Sequence, residues 1–301
     1  MMNKSRGHFY AILTICIWAT TFVSTKILLA DFKPIEILFI RFLIGFVALI
    51  IIYPKRLPHT TKSQEYYFIA AGCTGICLYY LLENIALTYT SASNVGVLIS
   101  VAPFFTGLLS IVFFKEEKMS LNFILGFIIA MAGISLISFN GNKVEVNLVG
   151  DLLALIAAFL WAIYSLLIKK ISTFGYHTIG TTRRIFFYGL LIMIPALFLF
   201  NFQFDLDAIT RPINLFNILY LGLGASALCF ITWNFSVKIL GPLKTSVYIY
   251  LVPILTMITS AIILHEEITI YSLFGMLLTL FGLLLSEKKH LFKGDSHGNR
   301  K

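Results

Sequence analysis

The stretch WATTFVSTK at residues 18–26 has a second version, WAIYSLLIK, at residues 161–169. In each version a Trp stands first and a Lys follows it eight residues later. An Arg lies further along each copy, at Arg41 and Arg184, and the Trp, Lys and Arg pairs are all separated by 143 residues. A separation that is kept over three pairs indicates that the chain contains one structural unit twice.

More matched pairs follow at a slightly larger separation. Asn84 and Asn234, like Pro103 and Pro253, are 150 residues apart, and the extra seven residues fall in a longer loop around residues 201–214. Small residues at matched positions permit close helix contacts, and we expect them to serve packing within the chain rather than dimerisation. These glycine pairs are Gly126 with Gly275 and Gly133 with Gly282.

The composition places the chain in a membrane. Of the 301 residues, 58% are hydrophobic and 12% are charged, and that charged share is about half of the roughly 25% of a soluble domain. A water-soluble domain of this size cannot bury so much apolar surface, so most of it must face lipid. The composition therefore excludes a soluble enzyme, a disordered protein and a secreted disulfide scaffold.

The four cysteines all lie inside apolar stretches. Cys73 and Cys77 have no second Cys pair or nearby His cluster, so we expect no metal site. We interpret all four as small apolar packing residues. They are Cys16, Cys73, Cys77 and Cys229.

Ten stretches are long and apolar enough to cross a membrane as helices, each needing roughly 20 mostly apolar residues. The sequence therefore predicts an all-α integral membrane protein with ten transmembrane helices. The stretches lie near residues 8–30, 34–54, 66–89, 93–113, 120–139, 149–170, 177–200, 215–240, 243–264 and 269–286.

The distribution of Lys and Arg predicts the orientation. With the N-terminus in the cytoplasm, 15 of the 23 cations fall in cytoplasmic segments and three fall in outer loops. Both termini are then cytoplasmic in a multi-pass protein of the cell membrane, and residues 287–301 form a basic cytoplasmic tail. The net charge of +9 is explained by contacts with anionic lipid headgroups, so it does not indicate nucleic-acid binding.

Each copy of the repeat contains five predicted spans. Because five is odd, the second copy enters the membrane from the opposite side and forms an inverted repeat. We predict one five-helix unit at 8–139 and a second, inverted unit at 149–286. Many secondary transporters are built in this way, with one central site that is exposed to either side in turn.

Taken together, these residues resemble the drug/metabolite transporter superfamily, of the EamA type, over roughly residues 8–286. The resemblance implies a metabolite exporter or importer without a bound cofactor. The chain departs from the pattern at Trp233, which stands where the first half has Glu83, and at Ile268. The residues that carry the resemblance in the first half are Trp18, Phe22, Lys26, Pro34, Arg41, Glu83, Asn84, Ala86, Leu87, Ser91, Ala92, Ser93, Pro103, Glu117, Gly126 and Gly133. The second half repeats Trp161, Lys169, Arg184, Asn234, Pro253, Gly275 and Gly282, and either Glu266 or Glu267 matches Glu117.

Three charged residues fall at similar depth near the outer ends of the predicted spans: Lys26, Arg41 and Glu83. Charges within spans are costly, so they are candidates for function. Pairing Glu83 with Arg41 or Lys26 would reduce the desolvation cost of both charges. Such a pair would act as a gate or proton-sensitive coupling site, or else would only fix helix packing. Snorkelling to the interface is an equal alternative for Lys26.

Lys169 and Arg184 lie near the inner ends of their spans, where Trp233 replaces an acidic counterpart. Positive charge without a counterion beside a cavity would favour a carboxylate-bearing or other anionic substrate. We interpret the neighbouring Lys170 and Arg183 as interfacial anchors.

Other candidates for substrate binding are uncharged. Asn84 and Asn234 either bind polar groups of a substrate or join helices to each other. Pro103 and Pro253 interrupt spans near their middles, which predicts kinks and hinges beside a central site. The rings that could line this site are Trp18, Trp161, Tyr79, Tyr80, Tyr164, Trp233, Tyr248 and Tyr250, with Trp18 and Trp161 ranked first because they match in the repeat.

The function predicted from the sequence is secondary transport of a small metabolite, amino-acid-like, otherwise carboxylate-bearing or drug-like, with export favoured. The alternative is a membrane-embedded enzyme that acts on a lipid or polyprenyl substrate. Such enzymes need clustered acids or His, and the sequence has no His-Glu-x-x-His or Asp-rich motif. We therefore expect no catalytic residues, no metal and no cofactor. Coupling to a proton or another ion, and formation of a homodimer, stay open.

Overall fold

The computed structural model describes residues 4–90, 92–114, 121–139, 147–264 and 270–287, and every regular element in these ranges is a helix. We number the long helical segments α1 to α10 in chain order. A short helix, Leu206–Thr210, connects α7 to α8. The segments are α1 (Lys4–Leu28), α2 (Pro34–Ile52), α3 (Lys62–Tyr89), α4 (Ala92–Ile99 and Ala102–Phe114), α5 (Leu121–Phe139), α6 (Leu148–Ser172), α7 (Thr178–Leu199), α8 (Pro212–Leu240), α9 (Pro242–Val247, Tyr248–Leu251 and Val252–Leu264) and α10 (Ile270–Glu287).

Helix ends follow local sequence signals. Thr61 caps α3 by accepting from the backbone N–H of Gln64, and Asn147 caps α6. Pro34 stands in the first turn of α2, where its missing N–H leaves no hydrogen bond unmade. Gly241 joins α8 to α9 with φ of 89°, a left-handed conformation that favours glycine.

Eight of the described helices are long and apolar enough to cross a membrane: α1 to α4 and α6 to α9. The predicted spans at 120–139 and 269–286 contain α5 and α10, whose apolar stretches are shorter, at Leu121–Leu136 and Leu273–Ser286. Large apolar side chains such as those of Ile51, Phe198 and Leu277 are exposed on the outside of the bundle. The chain is therefore a multi-pass membrane protein whose apolar exterior faces lipid.

The packing of the helices keeps its pattern when the two halves, α1–α5 and α6–α10, are exchanged. In the first half, α1 packs against α8 and α9, and α2 packs against α8. Their counterparts do the same in reverse, because α6 packs against α3 and α4, and α7 packs against α3. Each half therefore builds its core largely from the other, as the two-repeat fold of carriers requires.

Helices α5 and α10, the last of each half, pack against each other through their glycines. A Cβ at Gly133 would stand 2.5 Å from the carbonyl oxygen of Gly275, and a Cβ at Gly282 would stand 2.5 Å from that of Gly126. Only glycine permits this backbone approach. The expectation that these four residues serve packing within the chain is confirmed.

The third helix of each half contains a π-helical segment, Gly72–Leu78 in α3 and Tyr220–Leu228 in α8. The two segments match at the repeat separation of 150 residues. Each is packed tightly through glycine, since a Cβ at Gly72 would stand 2.7 Å from the Gly189 nitrogen and one at Gly222 would stand 2.7 Å from the Ile44 side chain. A π-helical segment inside an α-helix is often found at a functional site.

The bundle has two ends. We call the end that contains residues 53–61 and 173–177 the Arg184 end, and the end that contains residues 29–33 and 200–211 the Arg211 end. Contacts between the halves close both, with Arg183 bonding to the Tyr53 carbonyl at the first and Lys33 bonding to the Asn201 carbonyl at the second.

Some predictions fall outside the described residues. They concern Glu117, Glu266 and Glu267, Ile268, and residues 288–301 of the basic tail. The boundaries 8–139 and 149–286 of the two units stay a prediction.

Candidate functional site

A cavity lies between the two halves, with walls from α1, α3 and α4 on one side and α6 and α9 on the other. Its volume is about 30 Å³, which is room for a few water molecules but not for a metabolite. The residues that line it are Ile15, Trp18, Thr21, Phe22, Tyr79, Tyr80, Glu83, Ile99, Trp161, Ile249 and Val252.

The predicted Trp residues meet at this cavity. The rings of Trp18 and Trp161, which match in the repeat, contact each other edge to face with centroids 5.1 Å apart. Trp233 packs on both, at 5.1 Å from Trp18 and 5.6 Å from Trp161. Phe230 contacts all three helices around it, including Trp18 and Trp161. The centre of the protein is therefore an aromatic cluster that both halves build.

Trp18 also joins α1 to the π-helical segment of α8. Its indole Nε1 donates to the carbonyl oxygen of Ala225 at 2.9 Å. Both groups are buried, so the bond holds the ring in one orientation. Movement of the π-helical segment would therefore change the wall of the cavity.

Glu83 is the acidic residue in the cavity lining, and its side chain is 3% exposed. Tyr79, one turn earlier on α3, is its hydrogen-bonding neighbour. The predicted pairing of Glu83 with Arg41 or Lys26 is wrong. Across the described ranges, the ion pairs are Glu65 with Arg184 and Asp31 with Arg211.

Arg41 lies in α2 and is 1% exposed. Its Nε donates to the Ser226 hydroxyl at 3.1 Å, and its guanidinium carbon stands 4.6 Å from the centre of the Tyr80 ring and 5.2 Å from that of Phe42. Its Nη1 and Nη2 atoms are buried and have no hydrogen-bond partner among the described residues. The cation is thus held by aromatic faces and one hydroxyl.

Lys26 lies at the end of α1, and its side chain is exposed. Its Nζ donates to the carbonyl oxygens of Leu87 at 2.7 Å and of Thr90 at 3.3 Å, at the last turn of α3. A Lys in this place satisfies carbonyls that the helix leaves unpaired and favours the negative end of its dipole. This contact joins α1 to α3 and leaves Glu83 without Lys26 as a partner.

Arg184 has a counterion, which contradicts the expectation that its charge is uncompensated. Its Nη2 and Nε donate to the two carboxylate oxygens of Glu65 at 2.8 and 3.2 Å. Tyr188 and Thr60 donate to the same carboxylate. Arg184 therefore joins α7 to α3 at the Arg184 end of the bundle, away from the cavity.

The neighbours of Arg184 differ in their surroundings. Lys169 is half-buried near the end of α6, while Lys170 is exposed. Arg183 donates to the carbonyl oxygens of Tyr53 and Lys55 at 2.5 and 2.7 Å, so it fixes the loop after α2. None of the three lines the cavity.

The two matched Asn residues are both buried and both join helices. Asn234 accepts from the Tyr164 hydroxyl at 3.0 Å and donates to Thr182 at 2.9 Å. Asn84 donates to the Pro34 carbonyl at 3.2 Å, while its own side-chain oxygen has no partner within the described part of the chain. Asn234 is thus fully occupied, and Asn84 keeps one free acceptor.

Both helices that contain the predicted hinge residues are interrupted. In α4 the α-helical pattern breaks between Ile99 and Ala102, immediately before Pro103. In α9 a 3₁₀ segment, Tyr248–Leu251, precedes Pro253. Since Ile99 and Ile249 line the cavity, each interruption lies at the cavity wall.

At the Arg211 end, Asp31 joins the two halves. It accepts from Arg211 at 2.9 Å and from Asn214 at 2.8 Å. These contacts, that of Asn214 first, hold the pKa of Asp31 below its usual value. Nearby, Glu36 accepts from the backbone N–H groups of Lys33 and Gln203.

Sequence reasoning missed three residues that shape the site: Glu65, Ser226 and Phe230. Glu65 stands just before the predicted third span, so it was read as part of a loop. Ser226 is a polar residue within an apolar run, which is the available signal for a helix-to-helix contact. Phe230 matches Tyr80 at the repeat separation, and that match could have placed it in the centre.

A multi-pass helical protein with two repeats and a polar residue in an aromatic cavity between them has the architecture of a membrane carrier. The sequence profile of the EamA-like transporter family matches residues 5–139 and 148–287. The chain belongs to this family, within the drug/metabolite transporter superfamily.

Named relatives are similar over nearly the whole chain. An uncharacterized transporter of Archaeoglobus fulgidus is 27% identical, covering 95% of this chain and 99% of that protein. A probable terminal-alkyne amino-acid exporter of Streptantibioticus cattleyicolor is 25% identical over 96% of both chains. A solved crystal structure superposes with a TM-score of 0.76 at 17% identity, over 95% of this chain and 98% of that chain, which supports the fold.

Proposed function

We propose that the protein is a secondary transporter that exports a small carboxylate-bearing metabolite by alternating access. The observation that carries this proposal is the cavity between the halves, where the matched residues Trp18 and Trp161 meet beside the buried acid Glu83. A name among the relatives, the probable amino-acid exporter, favours a substrate with a carboxylate and favours export.

Alternating access requires two halves that change their relation around one site. Contacts between the halves hold the Arg184 end through Arg184 and Glu65 and the Arg211 end through Arg211 and Asp31. The cavity between them is too small for a metabolite. We interpret this as a closed state, from which opening of either end would widen the cavity and admit substrate.

The interruptions in α4 and α9 give the proposed movement a place to occur. Each breaks the helix at the cavity wall, before Pro103 and at Pro253. A helix without its regular hydrogen bonds at one level bends there at a lower cost. We propose that the two segments bend alternately as the ends open.

We place the protein in the plasma membrane with both termini in the cytoplasm. The support is the distribution of cations, fifteen in the segments assigned to the cytoplasm and three in the outer loops. The Arg184 end would then face the cytoplasm, and the Arg211 end would face outward.

The experiment compares metabolites in the medium and the cytoplasm of cells that have the gene, lack it, or express a variant. We expect one carboxylate-bearing compound to accumulate in the medium only with the intact protein. Arg41→Ala and Glu83→Gln should abolish its export while membrane insertion is kept. The matched control is Lys170→Ala, which changes an exposed cation away from the cavity. Unchanged export in both site variants, or no metabolite that changes sides, would contradict the proposal.

A further inference from the structure

Arg41 is a buried cation without an ionic partner in the described residues. It is 1% exposed, and the ion pairs there involve Arg184 and Arg211 instead. The faces of Tyr80 and Phe42 and the Ser226 hydroxyl offset part of the cost of its burial. A charge in apolar surroundings is stabilised much further by an anion that approaches it with hydrogen bonds.

The free part of the Arg41 side chain has the shape that a carboxylate needs. Nε is occupied by Ser226, while Nη1 and Nη2 have no partner among the residues that the structure describes. The two terminal nitrogens of a guanidinium are coplanar and donate in parallel to the two oxygens of a carboxylate. Lys would offer only a point charge there.

Tyr80 lies between this cation and the cavity. Its ring contacts the Arg41 guanidinium at 4.6 Å, and the same residue lines the cavity. Rotation of one side chain would therefore open a path from the cavity to Arg41.

Glu83 provides an anion one helical turn beyond Tyr80 on the same helix. It lines the cavity directly and is 3% exposed. Arg41 and Glu83 are close enough to interact through space, yet they form no direct ion pair. A buried cation and a buried anion that border one cavity without touching leave a gap for a ligand with both charges.

We propose that the cavity binds a zwitterionic amino acid with an apolar side chain. Its carboxylate binds the terminal nitrogens of Arg41 after the Tyr80 ring turns away, and its ammonium group binds Glu83. The apolar side chain contacts Trp18, Phe22 and Trp161. This inference rests on the proposed transport function and adds the substrate class and the role of each charged residue.

The test uses the full-length protein purified in lipid nanodiscs and three probes of one shape. L-Leucine carries both charges, 3-methylbutylamine lacks the carboxylate, and 4-methylpentanoate lacks the amine. We measure binding by isothermal titration calorimetry. Wild-type protein should bind L-leucine at least about tenfold more tightly than either analogue, because each analogue leaves one buried charge unpaired.

Variants assign the two charges separately. Arg41→Gln should weaken binding of L-leucine and 4-methylpentanoate about tenfold and leave 3-methylbutylamine unchanged. Glu83→Gln should do the reverse, weakening L-leucine and the amine while the acid is unchanged. The control Lys170→Gln removes an exposed cation outside the cavity and should leave all three affinities unchanged.

Equal loss of all three affinities in Arg41→Gln would mean that Arg41 only holds the helices together, and would overturn the proposal. If that variant does not fold, Arg41→Lys keeps the cation and should still bind 4-methylpentanoate less tightly than wild type. Wild-type protein that binds none of the probes, or that does not prefer L-leucine, would also overturn it. Export of a compound without both charges in the metabolite comparison would leave the transport proposal intact and refute this one.

Discussion

Helices α3 and α8 have the same backbone and different chemistry. Each contains a π-helical segment and an Asn at the matched position, Asn84 or Asn234. At the next matched position, however, α3 has Glu83 in the cavity lining and α8 has Trp233, which is fully buried against Trp18 and Trp161. The scaffold is therefore symmetric, while the charged groups beside the cavity come from the first half alone.

This difference explains how a repeated protein can have a single polar site. The matched helices need the same shape to exchange roles as the two ends open. The ligand meets one acid and one base, both from the first half, while the second half contributes the aromatic wall. Changes that make the halves more alike, or less alike, test this division.

The largest effect is expected from Trp233→Glu, which would give α8 the acid that α3 has. The change removes a fully buried indole and places a carboxylate without a cation among aromatic rings. We expect a loss of about 3–5 kcal/mol in the free energy of unfolding, from the cavity and the unpaired charge together. Thermal unfolding in nanodiscs measures it.

Trp233→Phe is the matched control. It keeps a ring in the cluster and removes an indole N–H that has no partner in the described ranges. We expect its midpoint temperature to stay close to that of wild type. A Trp233→Glu protein as stable as Trp233→Phe would show that packing does not exclude an acid from the second half.

The second prediction compares the π-helical segments. Gly75 of α3 matches Ala225 of α8, and a Cβ at Gly75 would overlap the buried ring of Tyr164. Gly75→Ala should therefore cost about 1–3 kcal/mol of folding free energy through overpacking. It should also disturb the bond from Tyr164 to Asn234.

The reverse change, Ala225→Gly, creates no overlap and should cost only about 0.5–1 kcal/mol through added backbone freedom. Chemical unfolding of the two variants gives both values. Equal costs would mean that the segments have equal surroundings and that the difference at Tyr164 has no energetic consequence.

Much of this arrangement follows from the sequence. Apolar runs predict the helices because a membrane leaves the backbone no other partner than itself. The separations of 143 and 150 residues predict which residues match, and the meeting of Trp18 with Trp161 agrees with that pattern. Interruptions near Pro103 and Pro253 follow from the chemistry of proline.

The partners of charged groups could not be predicted in the same way. Glu65 reaches Arg184 across 119 residues of sequence because α3 packs against α7, and no local pattern records that contact. The π-helical segments have a similar cause, since the glycines that permit them also have simpler uses in α-helices. Depth in the membrane placed Arg41, Lys26 and Glu83 at one level but did not decide which of them touch.

The third prediction compares the ion pairs that close the two ends. Glu65 and Arg184 have side chains 19% and 40% exposed, against 31% and 57% for Asp31 and Arg211. Glu65 also accepts from Tyr188 and Thr60. A double-mutant cycle should give the Glu65–Arg184 pair a coupling near the upper end of the roughly 0.2–1 kcal/mol of partly exposed pairs.

The same cycle on Asp31 and Arg211 should give a smaller coupling, because both side chains are better solvated. Each cycle uses Gln or Asn in place of the acid and Gln in place of the Arg. A larger coupling at the Arg211 end would reverse the order and would indicate that this end is held more firmly.

The smallest effect concerns pH at the Arg211 end. The hydrogen bond from Asn214, with the charge of Arg211, lowers the pKa of Asp31 below its ordinary value of 3.8. The folded state thus binds the proton less tightly than the unfolded state, so the contact stabilises the protein above that ordinary pKa. This stabilisation is lost as the pH falls through the lower pKa of the folded state. The difference in midpoint temperature between wild type and Asp31→Asn should therefore be constant from pH 7 to about 5 and shrink below about pH 4. A difference that grows on acidification would mean that the Asp31 contact favours the protonated acid, contrary to its two donors.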